Sequence, residues 1–241
     1  TDVDYTLGDL SNVYSMSYKQ NEGAFLAGVL AASATKSDME YANEENVIGF
    51  VGAKDTAAVI NDSAVGFIEG AQFVDPDVKV LVSYVGSYVD SATAKELAIT
   101  QYSNGADVVF VAAGPASVGV IEAAAESKKY CIGVDSDQEL TFSPDLAAIT
   151  LTSGLKNIGN SLVWLFDEWD AGRTYWGQAV ELGIAEGGVG IVTDKNYDKL
   201  ASAETKAAVE AAQNAILNGE VVVDSALTNQ ELATQLRDAV R

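Results

Sequence analysis

The chain has 241 residues, of which 48% are hydrophobic and 20% are charged, a composition typical of a soluble globular protein. Its formal net charge is −21, from 35 acidic and 14 basic residues, which argues against nucleic acid binding because phosphate contacts need clustered Lys and Arg. The absence of histidine excludes Ser-His triads, Cys-His pairs and His-based metal sites, and no apolar run approaches the ~20 residues of a membrane span.

Strand and helix patterns alternate along the first hundred residues. No complete element precedes Val13, and a polar loop is expected between Lys36 and Asn46. The patterns predict strands at 13–18, 47–52 and 78–84, and helices that begin near residues 21, 59 and 91. This rhythm predicts an α/β fold with parallel sheets and right-handed crossovers.

The most informative stretch runs from Asp107 to Gln138. Val108–Val111 is a continuous apolar run typical of a strand buried on both faces, and Tyr130–Val134 is the next strand. Between them lie a glycine turn and a helix, so the stretch forms one βαβ unit. Phe110, Gly114 and Asp135 would then lie side by side at the carboxyl rim of the sheet, where open parallel sheets bind ligands. We therefore predict a small-molecule binding cleft here.

The rest of the chain continues the alternation. A strand is predicted at 147–151, a strongly apolar helix at 156–169 and a final helix at 203–217. The segments 178–184 and 189–193 are predicted to form a hairpin around Gly187-Gly188. Cys131 lies in a predicted buried strand, where it is expected to act as a small hydrophobe.

Several motifs leave alternatives open. Glu22 lies in the first turn of a helix, where it either caps the helix or contacts a ligand. Lys156 opens a helix against the dipole, which indicates a nearby carboxylate such as Asp135, a ligand, or a solvated surface lysine. The Gly114–Gly119 spacing lacks the Lys and Ser/Thr of a phosphate loop, and Asp135-Ser-Asp137 lacks a third metal ligand. We expect no catalytic residues, no metal and no cofactor.

The chain resembles the basic membrane protein (BMP/Med) family of substrate-binding lipoproteins, which includes purine nucleoside receptors of ABC transporters. The matching stretches, in family order, are NEGAFLAGVLAA (21–32), VIGFVGA (47–53), YVGSYVD and AKELA (84–98), GADVVFVAAG (105–114), YCIGVDSDQ (130–138), TSGLKN (152–157) and GGVGIVTDKN (187–196). The resemblance implies a type I periplasmic-binding-protein fold, in which two doubly wound parallel-sheet lobes joined by a hinge close on a ligand.

The resemblance also implies roles for single residues. Phe110 would stack on the base, Asp135 would accept from the ribose hydroxyls with Lys156 near the same sugar, Glu22 would face the base, and Gly114 would let backbone approach the ligand. Family members begin with further strand–helix units that supply a second stacking aromatic, and nothing before Val13 matches them. The implied lobes are therefore an incomplete first lobe, 1–52 with 154–175, and a second lobe, 53–153 with 176–241.

The resemblance therefore implies an extracytoplasmic, monomeric receptor that binds a nucleoside, delivers it to ABC permease subunits and catalyses nothing. It would meet the membrane only through a lipid anchor that these residues do not contain. The alternatives are a sugar or autoinducer-type receptor of the same fold, favoured if the aromatic environment of Phe110 is one-sided, and a ligand sensor domain. An enzyme such as a nucleoside hydrolase is disfavoured because no nucleophile–base pair is visible in the sequence.

Overall fold

The computed structural model describes residues 10–229 and 231–240. The strands are β1 (Tyr14–Tyr18), β2 (Val47–Gly52), β3 (Lys79–Tyr84), β4 (Ala106–Ala112), β5 (Tyr130–Asp135), β6 (Thr150–Lys156), β7 (Gln178–Leu182) and β8 (Val189–Ile191). The helices are α1 (Gln20–Thr35), α2 (Ala58–Val74), α3 (Ser91–Ser103), α4 (Ser117–Ser127), α5 (Pro144–Ala147), α6 (Ile158–Asp170), α7 (Lys195–Leu200), α8 (Ala203–Leu217) and α9 (Leu232–Ala239), with 3-10 turns at Gly114–Ala116 and Gln138–Leu140.

Six strands form one sheet in the order β3-β2-β4-β5-β6-β8. Every pair is parallel except β6 with β8, so the predicted α/β fold with a mainly parallel sheet is confirmed. β2 and β4 are buried along their whole length, as their continuous apolar runs predict. The chain moves outward from β2 to β3 and then returns to β4. The order therefore reverses between β2 and β4, which makes this the topological switch point of the sheet.

The helices that flank this sheet form two layers. α1 packs against α2 and α8, and α3 packs against α4. The α1–α2 contact is close because Gly28 has no side chain: a Cβ atom there would collide with the carbonyl oxygen of Phe67. Apolar side chains from α1, α2 and the central strands fill one continuous core, which also contains the buried Cys131, as predicted. Burial raises the pKa of that thiol to about 12, so it stays protonated and inert.

A second, two-stranded sheet pairs β1 with β7 in parallel, with α6 leading into β7. Among the described residues of α6, only Ser161 is buried. The β1–β7 pairing extends to the start of α1, where the Lys19 amide donates to the carbonyl of Leu182 at 3.0 Å. The described residues thus form a large sheet and a small one.

The predicted lobe boundaries are wrong in two places. Residues 47–52 were expected in the first lobe with residues 1–46, but β2 pairs with both β3 and β4 in the large sheet, with Phe50 opposite Phe110. Residues 178–182 were expected in the second lobe, but β7 pairs with β1. Strand pairing between distant segments overrides the chain order in both cases. Residues 1–9 of the predicted first lobe lie outside the described residues.

Two local predictions also fail. The segments 178–184 and 189–193 do not form a hairpin, because β7 joins the small sheet and β8 pairs antiparallel with β6. A tight turn is present between them, with the Gly188 amide donating to the carbonyl of Gly183 at 2.9 Å, but the strands on either side diverge. The strand predicted at 147–151 is shifted to Thr150–Lys156.

Within the described parts of the chain, no helix is both long and apolar enough to cross a membrane.

Candidate functional site

A cavity of about 270 Å³ opens at the carboxyl rim of the large sheet, beside the switch point. Four of the five predicted site residues line it. Its walls come from the start of α1 and α2, the ends of β4, β5 and β6, and the loops after β3 and β4. The lining residues are Gln20, Gly23, Ala24, Val59, Ile60, Ser63, Tyr88, Phe110, Ala112, Gly114, Val134, Asp135, Gly154, Leu155 and Lys156. A largely apolar cavity with a few polar groups is the usual form of a small-molecule site.

Phe110 lies in the floor of this cavity, because it stands near the end of β4. The residue is only 2% exposed. It meets Phe50 edge-on at 5.6 Å between ring centroids and Phe67 at 5.4 Å. Above the ring lies Gly154, where a Cβ atom would come within 3.6 Å of the ring tip. Phe110 is therefore one ring of a buried aromatic cluster, and only a small part of it faces the cavity.

Asp135 is the last residue of β5 and projects at the mouth of the cavity. It is exposed and has a φ of +68°, in the left-handed region that non-glycine residues seldom adopt. The Ser136 amide donates to the carbonyl of Val134 at 2.9 Å, which closes a tight turn around Asp135. Such strain is commonly held at functional sites, since the surrounding structure has to maintain it. This turn places the carboxylate of Asp135, a hydrogen-bond acceptor, at the rim of the cavity.

Lys156 ends β6 and lines the same cavity. The strand continues to Lys156, so the lysine precedes α6 instead of opening it, and the argument from the helix dipole does not apply. Its ammonium lies 5.6 Å from the ring centroid of Tyr18 in β1, a cation–π contact that joins the two sheets. Lys156 and Asp135 therefore stand at one rim, with the cation held by an aromatic ring of the small sheet.

Glu22 does not reach the cavity. Its carboxylate accepts a hydrogen bond from the Ile184 amide at 2.8 Å and forms an ion pair with Lys19 at 3.3 Å. The neighbouring positions Gln20, Gly23 and Ala24 face the cavity, whereas Glu22 turns towards the residues that follow β7. Glu22 makes no capping hydrogen bond to its own helix, so the capping alternative is not observed. Its carboxylate instead satisfies a backbone amide in the segment after β7.

The structure adds three polar residues that the sequence analysis missed: Gln20, Ser63 and Tyr88. The amide of Gln20 donates to the buried carboxylate of Asp62 at 2.6 Å, which fixes its orientation at the cavity wall. Asp62 also accepts from Ser225, and burial raises its pKa above the ordinary range despite these bonds. Tyr88 follows β3 in the chain. The rim rule that identified Asp135 after β5 could have identified Tyr88 in the same way.

A second, more open groove of about 690 Å³ shares Asp135 and Lys156 with this cavity. Its rim carries Asp137 and Asp194, which both pair with the ammonium of Lys195, at 2.7 and 2.9 Å. The groove thus extends the cavity towards solvent past a largely acidic edge. In the described residues, no group of three acidic, cysteine or histidine side chains could hold a metal ion.

Comparisons with known proteins agree with this architecture. Residues 3–226 match the family described as Bmp, ABC transporter substrate-binding protein PnrA-like. The chain is 34% identical, over 92% of its length, to the ABC transporter nucleoside-binding protein BmpA of Lactococcus lactis subsp. cremoris. It is 31% identical, over 88% of its length, to basic membrane protein A of Borreliella afzelii. The chain spans 63% and 62% of these two relatives.

A solved structure shares the fold. The ABC transporter solute-binding protein of Aeropyrum pernix K1 superposes with a TM-score of 0.74 at 22% identity, and the match covers 95% of this chain and 73% of that protein. Identity at this level supports the fold and not the ligand. The type I periplasmic-binding fold predicted from the sequence is therefore confirmed.

Proposed function

Since the chain belongs to the Bmp family of PnrA-like ABC transporter substrate-binding proteins, we propose that it binds a purine nucleoside in the cavity at the carboxyl rim. The observation that carries this proposal is that one cavity brings together an aromatic ring, Phe110, and two groups suited to a sugar, Asp135 and Lys156. A nucleoside has the matching two halves, a flat base and a ribose with adjacent hydroxyls.

The base and the ribose of the nucleoside are bound by different interactions. The base lies against the apolar floor, where Phe110 offers only a small part of its ring. A full stacking contact contributes about 1–3 kcal/mol per base, which is the upper limit for this one. The ribose hydroxyls donate to the carboxylate of Asp135, and hydrogen bonds to charged groups contribute about 1.5–3 kcal/mol. Lys156 donates to the same sugar from the other strand end. Gly154 and Gly114 keep side chains out of the space between these groups.

The wider role follows from the same family membership. The Lactococcus lactis relative is named a nucleoside-binding protein, which supports the ligand class. We infer that the protein works outside the cytoplasm as a monomer, delivers its ligand to ABC permease subunits and is held at the membrane by a lipid anchor. Binding without catalysis fits a cavity in which hydrogen bonding and stacking are the available chemistry.

A sugar receptor is the second candidate, and one observation favours it. Phe110 is almost wholly buried by Phe50 and Phe67, so the base-stacking surface that it offers is small. A sugar would rely on Asp135 and Lys156 and would need little from Phe110. The two candidates therefore differ in which side chain dominates the affinity.

Calorimetric titration separates them, with inosine, hypoxanthine and ribose as probes. For a nucleoside receptor, Asp135→Ala should weaken inosine about 10- to 100-fold, from the ~1.5–3 kcal/mol of a charged hydrogen bond, and leave hypoxanthine nearly unchanged. Phe110→Leu should weaken both inosine and hypoxanthine. Asp145→Ala, an exposed carboxylate outside the cavity, is the matched control and should bind like the wild type. Tight ribose binding that depends on Asp135 alone would support the sugar receptor instead.

A further inference from the structure

The three connections between the small sheet and the large sheet are hydrogen-bonded to one another at one short turn. The chain crosses at Lys19 between β1 and α1, at Asn157 between β6 and α6, and at residues 183–188, the hinge turn, between β7 and β8. Movement of one sheet against the other has to bend these connections. We propose that Glu22 fixes the hinge turn to the first connection and thereby sets ligand affinity from outside the cavity, an inference that rests on the proposed ligand binding.

The hinge turn is closed by its own hydrogen bonds. The Gly188 amide donates to the carbonyl of Gly183 at 2.9 Å. Inside that pair, the Gly187 amide donates to the carbonyl of Ile184 at 3.0 Å. Gly183 and Gly188 are both buried. The third connection is therefore a compact turn and not an extended linker, so its orientation depends on what holds it from outside.

Glu22 joins the hinge turn to the first connection. Its carboxylate accepts from the Ile184 amide at 2.8 Å and pairs with the ammonium of Lys19 at 3.3 Å. The Glu22 side chain is only 12% exposed, so this charge-assisted hydrogen bond is largely shielded from water. A Cβ atom on Gly183 would collide with the same carboxylate, so glycine at this position leaves room for the contact. The hinge turn and the start of α1 are therefore fitted to each other around one carboxylate.

Asn157 joins the hinge turn to the second connection. Its backbone amide donates to the carbonyl of Gly188 at 2.8 Å, and its side-chain amide donates to that of Gly187 at 3.2 Å. Its own carbonyl accepts from the Ser161 amide in the first turn of α6 at 3.0 Å. The hinge turn is thus bonded to both other connections. Because the bond to Glu22 is made by a side chain, it can be removed without changing the backbone.

Loss of the Glu22 carboxylate should act through the hinge. The hinge turn would no longer be bonded to the start of α1, and the two sheets would sample more relative orientations. The orientation that binds ligand would then be a smaller fraction of the population, and the apparent dissociation constant rises by the inverse of that fraction. Glu22 is therefore a positioning residue: its loss changes the affinity of different ligands by one common factor, whereas loss of a ligand contact changes them unequally.

The test compares variants by calorimetry with inosine and hypoxanthine. Glu22→Ala should weaken both probes by the same factor of about 10, as expected if the competent fraction falls to about a tenth. Glu22→Gln should stay within a few-fold of the wild type, because its carbonyl can still accept from the Ile184 amide. Gly183→Ala should reproduce Glu22→Ala, because its methyl group displaces the carboxylate. Glu181→Ala, which removes an exposed carboxylate of β7, is the matched control and should bind like the wild type.

Hydrogen exchange without ligand gives the second readout, and thermal unfolding shows that each variant is folded. Glu22→Ala should exchange faster than the wild type at residues 183–188, whereas Glu181→Ala should not. The hinge assignment is overturned, and the nucleoside function stands, if Glu22→Ala binds both probes like the wild type, weakens one probe alone, or leaves exchange at 183–188 unchanged. If the wild type binds neither probe, the nucleoside function falls and the inference falls with it.

Discussion

The two sheets differ in how their helices are covered. In the large sheet, α2 buries ten of its residues and Phe67 is wholly inaccessible. Beside the small sheet, α6 also carries many apolar side chains but buries only Ser161 among its described residues, and Phe166 is 60% exposed. Apolar side chains therefore stabilise the folded state only where another surface packs against them. In this chain the rigid platform for the site is the large sheet.

The largest difference in unfolding free energy should be that between the Phe67→Ala and Phe166→Ala variants. Phe67→Ala removes a ring that packs against Phe50 and Phe110, and should lower the free energy of unfolding by about 3–5 kcal/mol. Phe166→Ala removes an exposed ring and should change it by no more than about 0.5 kcal/mol. Urea unfolding of both variants measures the difference. Equal losses would mean that α6 is as well packed as α2.

Two glycines give a smaller contrast of the same kind. Gly28→Ala forces a methyl group against the backbone of α2. This overpacking should lower the free energy of unfolding by about 1–3 kcal/mol. Gly159→Ala, near the start of α6, meets no atom within 4 Å, so the higher helix propensity of Ala should leave stability unchanged or raise it by up to about 1 kcal/mol. A stable Gly28→Ala variant would show that α1 and α2 can separate without loss.

The smallest effects are two opposite pH dependences. Burial and the nearby Asp224 raise the pKa of Glu69 in α2 to about 7, so the folded state retains a proton that the unfolded state loses above about pH 4.5. The stabilisation that Glu69 contributes is fully present below about pH 4.5 and is lost as the pH rises through 7. Arg173 and Tyr175 lower the pKa of Glu168 in α6 to about 2, so its contribution is lost as the pH falls through that value.

Thermal unfolding of Glu69→Gln and Glu168→Gln across the pH range isolates these two contributions. The free energy of unfolding of the wild type should fall relative to that of Glu69→Gln as the pH rises from 4.5 to 7, and solvent screening of this half-buried group keeps the change small. The difference for Glu168→Gln should change only in acid. The same sign for both variants would contradict the assignment of these environments.

The sequence predicted the parts of the fold that depend on local pattern. The apolar runs of β2, β4 and β5 and the helix Ala203–Leu217 were found because their periodicity is strong. The lobe boundaries and the hairpin failed because they depend on which distant strand each strand pairs with. Nothing near residue 47 or residue 178 in the chain specifies that choice.

The same distinction applies to the site. Phe110, Gly114 and Asp135 could be predicted together because parallel strands bring their carboxyl ends to one rim. Lys156 was predicted at a helix start and from the family resemblance, and it lines the same cavity from the end of β6. Glu22 was misplaced because a helix start presents several faces, and its position alone does not tell which face meets the cavity. Tyr88 was missed because a loop residue carries no periodicity, although its place after β3 could have indicated the rim. The burial of Phe110 by Phe50 and Phe67 required the packed structure.

Hydrogen exchange with and without inosine tests whether a nucleoside binds at the carboxyl rim of the large sheet. With inosine bound, exchange should slow in residues 85–90, 110–117, 134–138 and 154–157. The loop at 36–46, which precedes β2 at the opposite edge of the sheet, serves as the internal control and should not change. Protection at 36–46 with none at the rim, or no protection anywhere at saturating inosine, would contradict the account.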